Sequence, residues 1–136
     1  MKTNFKEYLM KKKAQNAIDK IATEYKDKKI VVFGADLFAA DLFRNYNLSK
    51  LNIIGVADKT FKDDNEGQYY DYPKLTPDDL LETDFNLLLI VAYDDTGIKQ
   101  FLKKELFQGE DIKFNVKTLI RLSLFEYIKG TVNGDL

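Results

Sequence analysis

The segment Lys29–Ala40, KIVVFGADLFAA, constrains the fold more than any other part of the chain. Ile30 to Phe33 are continuously apolar and mostly β-branched, the composition of a strand covered on both faces, and such strands belong to parallel sheets. Gly34 interrupts the run. Leu37, Phe38, Leu42 and Phe43 then recur at spacings that place them on one side of a helix reaching about Tyr46. A turn that cradles phosphate between such a strand and helix reads G-x-G-x-x-G/A; here the six positions are Gly34, Ala35, Asp36, Leu37, Phe38 and Ala39. The first and last conform, but the second glycine, which lets backbone approach a pyrophosphate, is Asp36.

The rest of the chain repeats the alternation. Asn52–Ala57 reads as a second strand closed by Asp58, and Asn86–Ala92 as another buried strand followed by a polar turn, Tyr93 to Thr96. Thr76-Pro77-Asp78-Asp79 is a helix start: a hydroxyl cap, proline at the first helical position and acids in the first turn. A short helix to about Glu82 should follow, and a longer one over 97–107 stopped by Gly109. Residues 59–73, polar and aromatic, predict a loop with at most a short strand near Tyr70–Tyr72. Ile112, Phe114 and Val116 alternate with polar residues, as in a half-exposed edge strand. Ser123 with Glu126 predicts a capping box before a last helix ending at Gly130.

At the amino terminus, Ala14, Ala17, Ile18, Ile21, Ala22 and Tyr25 predict one amphipathic helix over residues 5–26, with Asn4 and Glu7 as a capping pair. The expected organisation is therefore an N-terminal helix, 1–27, packed on or dimerising an α/β domain, 28–136. That domain should be a small doubly wound parallel sheet of about five strands, with the two most apolar strands adjacent at its centre.

Composition narrows the chemistry. Among 136 residues there is no histidine and no cysteine, which removes thiol nucleophiles, imidazole bases and Cys/His zinc sites. No catalytic residue and no metal ligand set is assigned. Acidic and basic residues nearly cancel, to a net charge of -1, so nucleic acid is not an expected partner. The charged start, MKTNFKEYLMKKK, lacks a signal-peptide core, and the longest apolar run, Leu87–Tyr93, is seven residues. Those features predict a cytoplasmic protein without membrane insertion.

In doubly wound sheets ligands bind beyond the carboxyl ends of the strands. The candidate binding residues are Gly34, Ala35, Asp36, Leu37, Phe38, Asp58, Ala92 and Tyr93. Asp58, 24 residues after Gly34, stands where an acid accepts ribose hydroxyls, or alternatively it caps the strand-to-loop turn. Asp36 either contacts ligand or caps the helix and takes the anion position itself, and its chemistry favours the cap. Tyr93 could stack on a base or pack beside the turn. The acids Asp63, Asp64 and Glu66 lack calcium-loop spacing and read as a solvated loop. Tyr69, Tyr70 and Tyr72 either cover a ligand or pack on the sheet edge. Tyr8/Lys12 and Tyr25/Lys29 have the spacing of a dehydrogenase pair but precede the glycine turn.

KKIVVFGA at 28–35, IIGVAD at 53–58, YPKLTPDDL at 72–80 and DFNLLLIVAY at 84–93 together resemble the Rossmann-like nucleotide-binding modules of bacterial sugar-modifying enzymes. These include nucleotide-sugar dehydratases and epimerases of surface-polysaccharide synthesis and certain sugar methyltransferases. The resemblance spans about residues 28–120. It implies NAD or a nucleotide sugar as ligand, held through Gly34, Ala35 and Asp58, and it departs at Asp36, where relatives commonly have glycine. Catalytic residues of those enzymes lie in other domains. The implied role is a non-catalytic nucleotide-binding module. Two other roles remain open: a ligand-free module that dimerises or docks on a sugar-modifying enzyme, and a small sugar-nucleotide enzyme using Asp58, Asp94 or Tyr93.

Overall fold

In a computed structural model, which describes residues 5–62 and 67–120, the chain forms a six-stranded sheet covered by helices on both faces. In chain order the elements are α1 (Phe5–Lys11), α2 (Ala14–Glu24), β1 (Ile30–Phe33), α3 (Leu37–Asn45), β2 (Ile53–Ala57), β3 (Gln68–Tyr69) and β4 (Tyr72–Leu75). A 3-10 turn (Pro77–Leu81), β5 (Leu87–Ile90), α4 (Asp95–Gln100), a π-helical segment (Phe101–Leu106) and β6 (Asn115–Thr118) follow. The strand order is β3-β4-β2-β1-β5-β6. All neighbours are parallel except β3 and β4, which form a small antiparallel hairpin at one edge. This is consistent with a Rossmann-like α/β fold, the chain winding outward in both directions from β1.

The two faces follow from the period of two along a strand. Ile30 and Val32 join Leu87, Leu89 and Val91 under Ile18, Ile21, Phe38 and Leu42 of α2 and α3. Val31 and Phe33 point the other way, with Leu88 and Ile90, against Leu80, Ile98 and Leu102. All four residues of β1 and all four of β5 are buried, and the two strands pair in register from Ile30–Leu87 to Phe33–Ile90. The expected central pair is therefore present.

Four details differ from the sequence expectation. The single helix over 5–26 is two helices, because Lys13 adopts a left-handed conformation, φ 54°. Leu9 and Ala14 are five positions apart, about 140° around one continuous helix; the break allows both to be fully buried. Of the stripe expected to pack on or dimerise the domain, Ala14, Ile18 and Ile21 lie in the core cluster. The loop near Tyr70 contains a hairpin whose turn puts Tyr70 at φ 54°. The helix over 97–107 begins two residues earlier and changes to π geometry at Phe101, with the Phe107 N–H donating to the Leu102 carbonyl at 2.8 Å. The edge strand starts at Asn115, after Ile112 and Phe114.

The Asn4 cap, the acids Asp63, Asp64 and Glu66, and the Ser123–Glu126 box with its helix to Gly130 lie outside the described residues. No helix among the described residues is long and apolar enough to cross a membrane.

Candidate functional site at the carboxyl ends of the strands

Gly34 ends β1 where the chain passes close to the end of β5. Its φ is 143°, and a Cβ built on it would lie 2.0 Å from the Val91 carbonyl oxygen. The Gly34 N–H donates to Ala57 at 2.9 Å, so the turn is pinned to β2 as well. Glycine is required here by the approach of two strands.

The next two residues meet carboxylates of the chain itself. The Ala35 N–H donates to Asp58 Oδ2 at 2.8 Å, while Asp58 Oδ1 accepts the Thr60 N–H at 2.9 Å and the Thr60 hydroxyl at 2.7 Å. Asp58 thus ties the glycine turn to the loop after β2. Asp36 takes the N-cap position of α3 and accepts the Ala39 N–H at 2.9 Å. Burial pushes the Asp36 carboxyl above its ordinary range, against the opposing pull of the backbone amides of Ala39, Tyr93 and Phe38; the nearby Asp58 charge adds to the rise. A helix amino terminus attracts an anion through these same donors and its partial positive charge. Here a tethered carboxylate sits on them, and through the Tyr93 amide it also reaches the loop leaving β5.

The eight residues singled out in the sequence do converge on one end of the sheet, but not all present side chains there. Phe38 and Ala92 are buried in the two core clusters. Leu37 and Tyr93 are open, 69% and 45% exposed. Tyr69 lies near enough to Asp36 and Asp58 to feel both charges; burial first, then Tyr70 and these acids, push its hydroxyl up to about 12. Its ring packs edge-on against Phe43, and Tyr70 stacks on Phe43 at 5.4 Å. The tyrosine cluster therefore packs on α3.

Beyond Asp58 opens a cleft of about 580 Å³, within the size range of small-molecule sites. Its walls are Lys59, Phe61 and Lys62 from the loop after β2, Thr76 to Asp79 from the capped turn after β4, and Phe101 with Glu105 from the π-helical segment. The Lys59 ammonium lies 4.7 Å from the centre of the Phe101 ring, and Lys74 lies 5.1 Å from that of Phe61. One wall is held by a reciprocal capping box: Thr76, expected as a hydroxyl cap, accepts the Asp79 N–H at 3.2 Å while Asp79 accepts the Thr76 N–H at 2.8 Å. Rare π segments recur at functional sites.

Sequence reasoning missed this cleft. The pattern Lys59-x-Phe61-Lys62 directly after Asp58 was the available signal, whereas Phe101, 39 residues after Lys62, and Glu105 come from a distant element. At the start of α4, Asp94 caps the helix through Gly97, and the buried Asp95 accepts the Thr118 hydroxyl at 3.1 Å and faces Lys99 at 3.6 Å. These acids serve the helix start. Among the described residues no group of three or more metal-capable side chains occurs. No family model, curated protein or solved structure matches the chain.

Proposed function

We propose that the chain is a non-catalytic nucleotide-binding module serving bacterial nucleotide-sugar or surface-polysaccharide metabolism, and that its nucleotide enters the cleft beyond Asp58 instead of laying a pyrophosphate on the glycine turn. The observation that carries this reading is that two lysines, Lys59 and Lys62, and two phenyl rings, Phe61 and Phe101, line one cleft at the carboxyl ends of the strands. Phenyl rings offer a stacking face to a base, and ammonium groups offer charge-assisted donors to a phosphate. Asp78 stands on the same wall as an acceptor for sugar hydroxyls. The helix amides that a dinucleotide uses are held by Asp36, which disfavours NAD and favours a mononucleotide or the nucleotide end of a nucleotide sugar.

Ligand binding is preferred to docking as the reading, since Ala14, Ile18 and Ile21 of the α2 stripe lie in the core cluster. Calorimetric titration with UMP, AMP, a UDP-sugar and NAD tests the proposal. Saturable binding of a mononucleotide or UDP-sugar, weakened by Lys59→Ala and by Phe101→Ala, is expected. No heat of binding for any of the four at millimolar ligand sinks it.

A further inference from the structure

A second, smaller cleft of about 310 Å³ lies at the opposite end of the sheet, at the amino ends of β5 and β6, and has no part in the nucleotide reading. Glu24, Tyr25 and Lys28 close it on one side, Phe85 and Asn86 form its base, and Lys113 to Asn115 close the other side. Its walls are held in place. Glu24 is ion-paired with Lys117, whose ammonium also lies over the Tyr25 ring, and Asn115 Nδ2 donates to the Tyr25 hydroxyl at 3.3 Å. Beneath, Phe85 stacks on Phe114 with centroids 4.3 Å apart, and Phe107 meets Phe114 edge-on.

Donors predominate among the polar side chains of this space, beside the Asn115 side-chain carbonyl oxygen. Asn86 is oriented by accepting the Lys29 N–H on Oδ1 at 2.8 Å, which leaves its amide N–H₂ without a partner among the described residues. The Tyr25 hydroxyl accepts from Asn115 and keeps its own proton to give. Lys28 and Lys113 have no carboxylate partner among the described residues, while the one acid of the cleft, Glu24, is neutralised by Lys117. In a chain of net charge -1, this is a local excess of positive charge with oriented donors, and no general attraction of anions would produce it.

We infer that the cleft formed by Tyr25, Lys28, Asn86 and Lys113 is a binding site for a small oxyanion, a phosphate or carboxylate group. Each ammonium contributes a charge-assisted hydrogen bond, and the asparagine and tyrosine fix orientation. The site stands at the end of the sheet away from the candidate nucleotide cleft, so the two can be occupied independently.

The test is a ¹H–¹⁵N NMR titration of the full chain with inorganic phosphate and, separately, acetate, at constant ionic strength maintained with chloride. Saturable shifts confined to the amides around Tyr25, Asn86 and Lys113 are expected, at least about ten-fold weaker in the Lys28→Gln/Lys113→Gln double variant. Both lysines are exposed, so the variant should keep the wild-type spectrum elsewhere. Preference between the two probes identifies the anion class. Linear, unsaturated shifts, or saturation unchanged by the double variant, would overturn the inference. Shifts around Lys59 to Lys62 and Phe101 report the other cleft and leave these criteria unaffected.

Discussion

The carboxylate of Asp58 accepts the backbone N–H of Ala35 at 2.8 Å, joining the end of β2 to the glycine turn at the end of β1. The acid that in a dinucleotide fold waits for a ribose is here part of the turn, with its other oxygen on Thr60. Asp58→Ala leaves the amides of Ala35 and Thr60 without their acceptor, and each loss of this kind costs about 1 kcal/mol or more. Urea unfolding should show Asp58→Ala less stable by about 2 kcal/mol. A loss within 0.5 kcal/mol, about the scatter of a neutral surface change, would assign Asp58 no structural part.

Gly34→Ala forces a methyl group into the Val91 carbonyl and a non-glycine residue to φ 143°. Backbone strain and overpacking each cost on the order of 1–3 kcal/mol. The variant should unfold at markedly lower denaturant, by about 3 kcal/mol, whether or not nucleotide is present. Unchanged stability with lost nucleotide binding would mean that the glycine serves a ligand.

Asp36 gives a pH dependence of defined sign. Its folded-state pKa is raised above the ordinary value of 3.8, so its contribution to stability is full below that value and is lost as pH rises through the folded-state pKa. Asparagine keeps the capping oxygen without the charge. Asp36→Asn should therefore gain stability relative to wild type as pH rises across that window, the difference then levelling. Unfolding curves from pH 3.5 to 7 measure it, and a gap that shrinks with pH contradicts the assignment.

Tyr69 should ionise near pH 12. Because the neutral hydroxyl is favoured in the fold, its contribution to stability is full below pH 10 and is lost as pH rises through 12. An alkaline ultraviolet titration should show a step near pH 12 that disappears in Tyr69→Phe; persistence of that step assigns it to another ring.

The sheet was readable in the sequence because β1 and β5 are apolar on both faces and a parallel strand in that state has few alternatives. The caps at Asp36 and Thr76 were readable because side chain and amide lie three residues apart. What escaped depends on distance or on small backbone choices. The break at Lys13 follows from the simultaneous burial of Leu9 and Ala14, which only the assembled core imposes. The π segment and the cleft it lines join residues from three crossovers, and no local pattern announces where Phe101 will face Lys59. Asp58 matched a ligand-binding position and a turn cap equally well in sequence; the Ala35 contact distinguishes its structural part.

Asp36 itself occupies the anion position at the start of α3. The Ala39 amide reports on it most directly, since its N–H donates to that carboxylate at 2.9 Å. In an NMR pH titration the Ala39 resonance should follow the ionisation of Asp36, with a midpoint above 3.8, and at pH 7 should stay in place when phosphate or NAD is added. An Ala39 amide indifferent to that ionisation, yet shifted saturably by phosphate, would contradict the account.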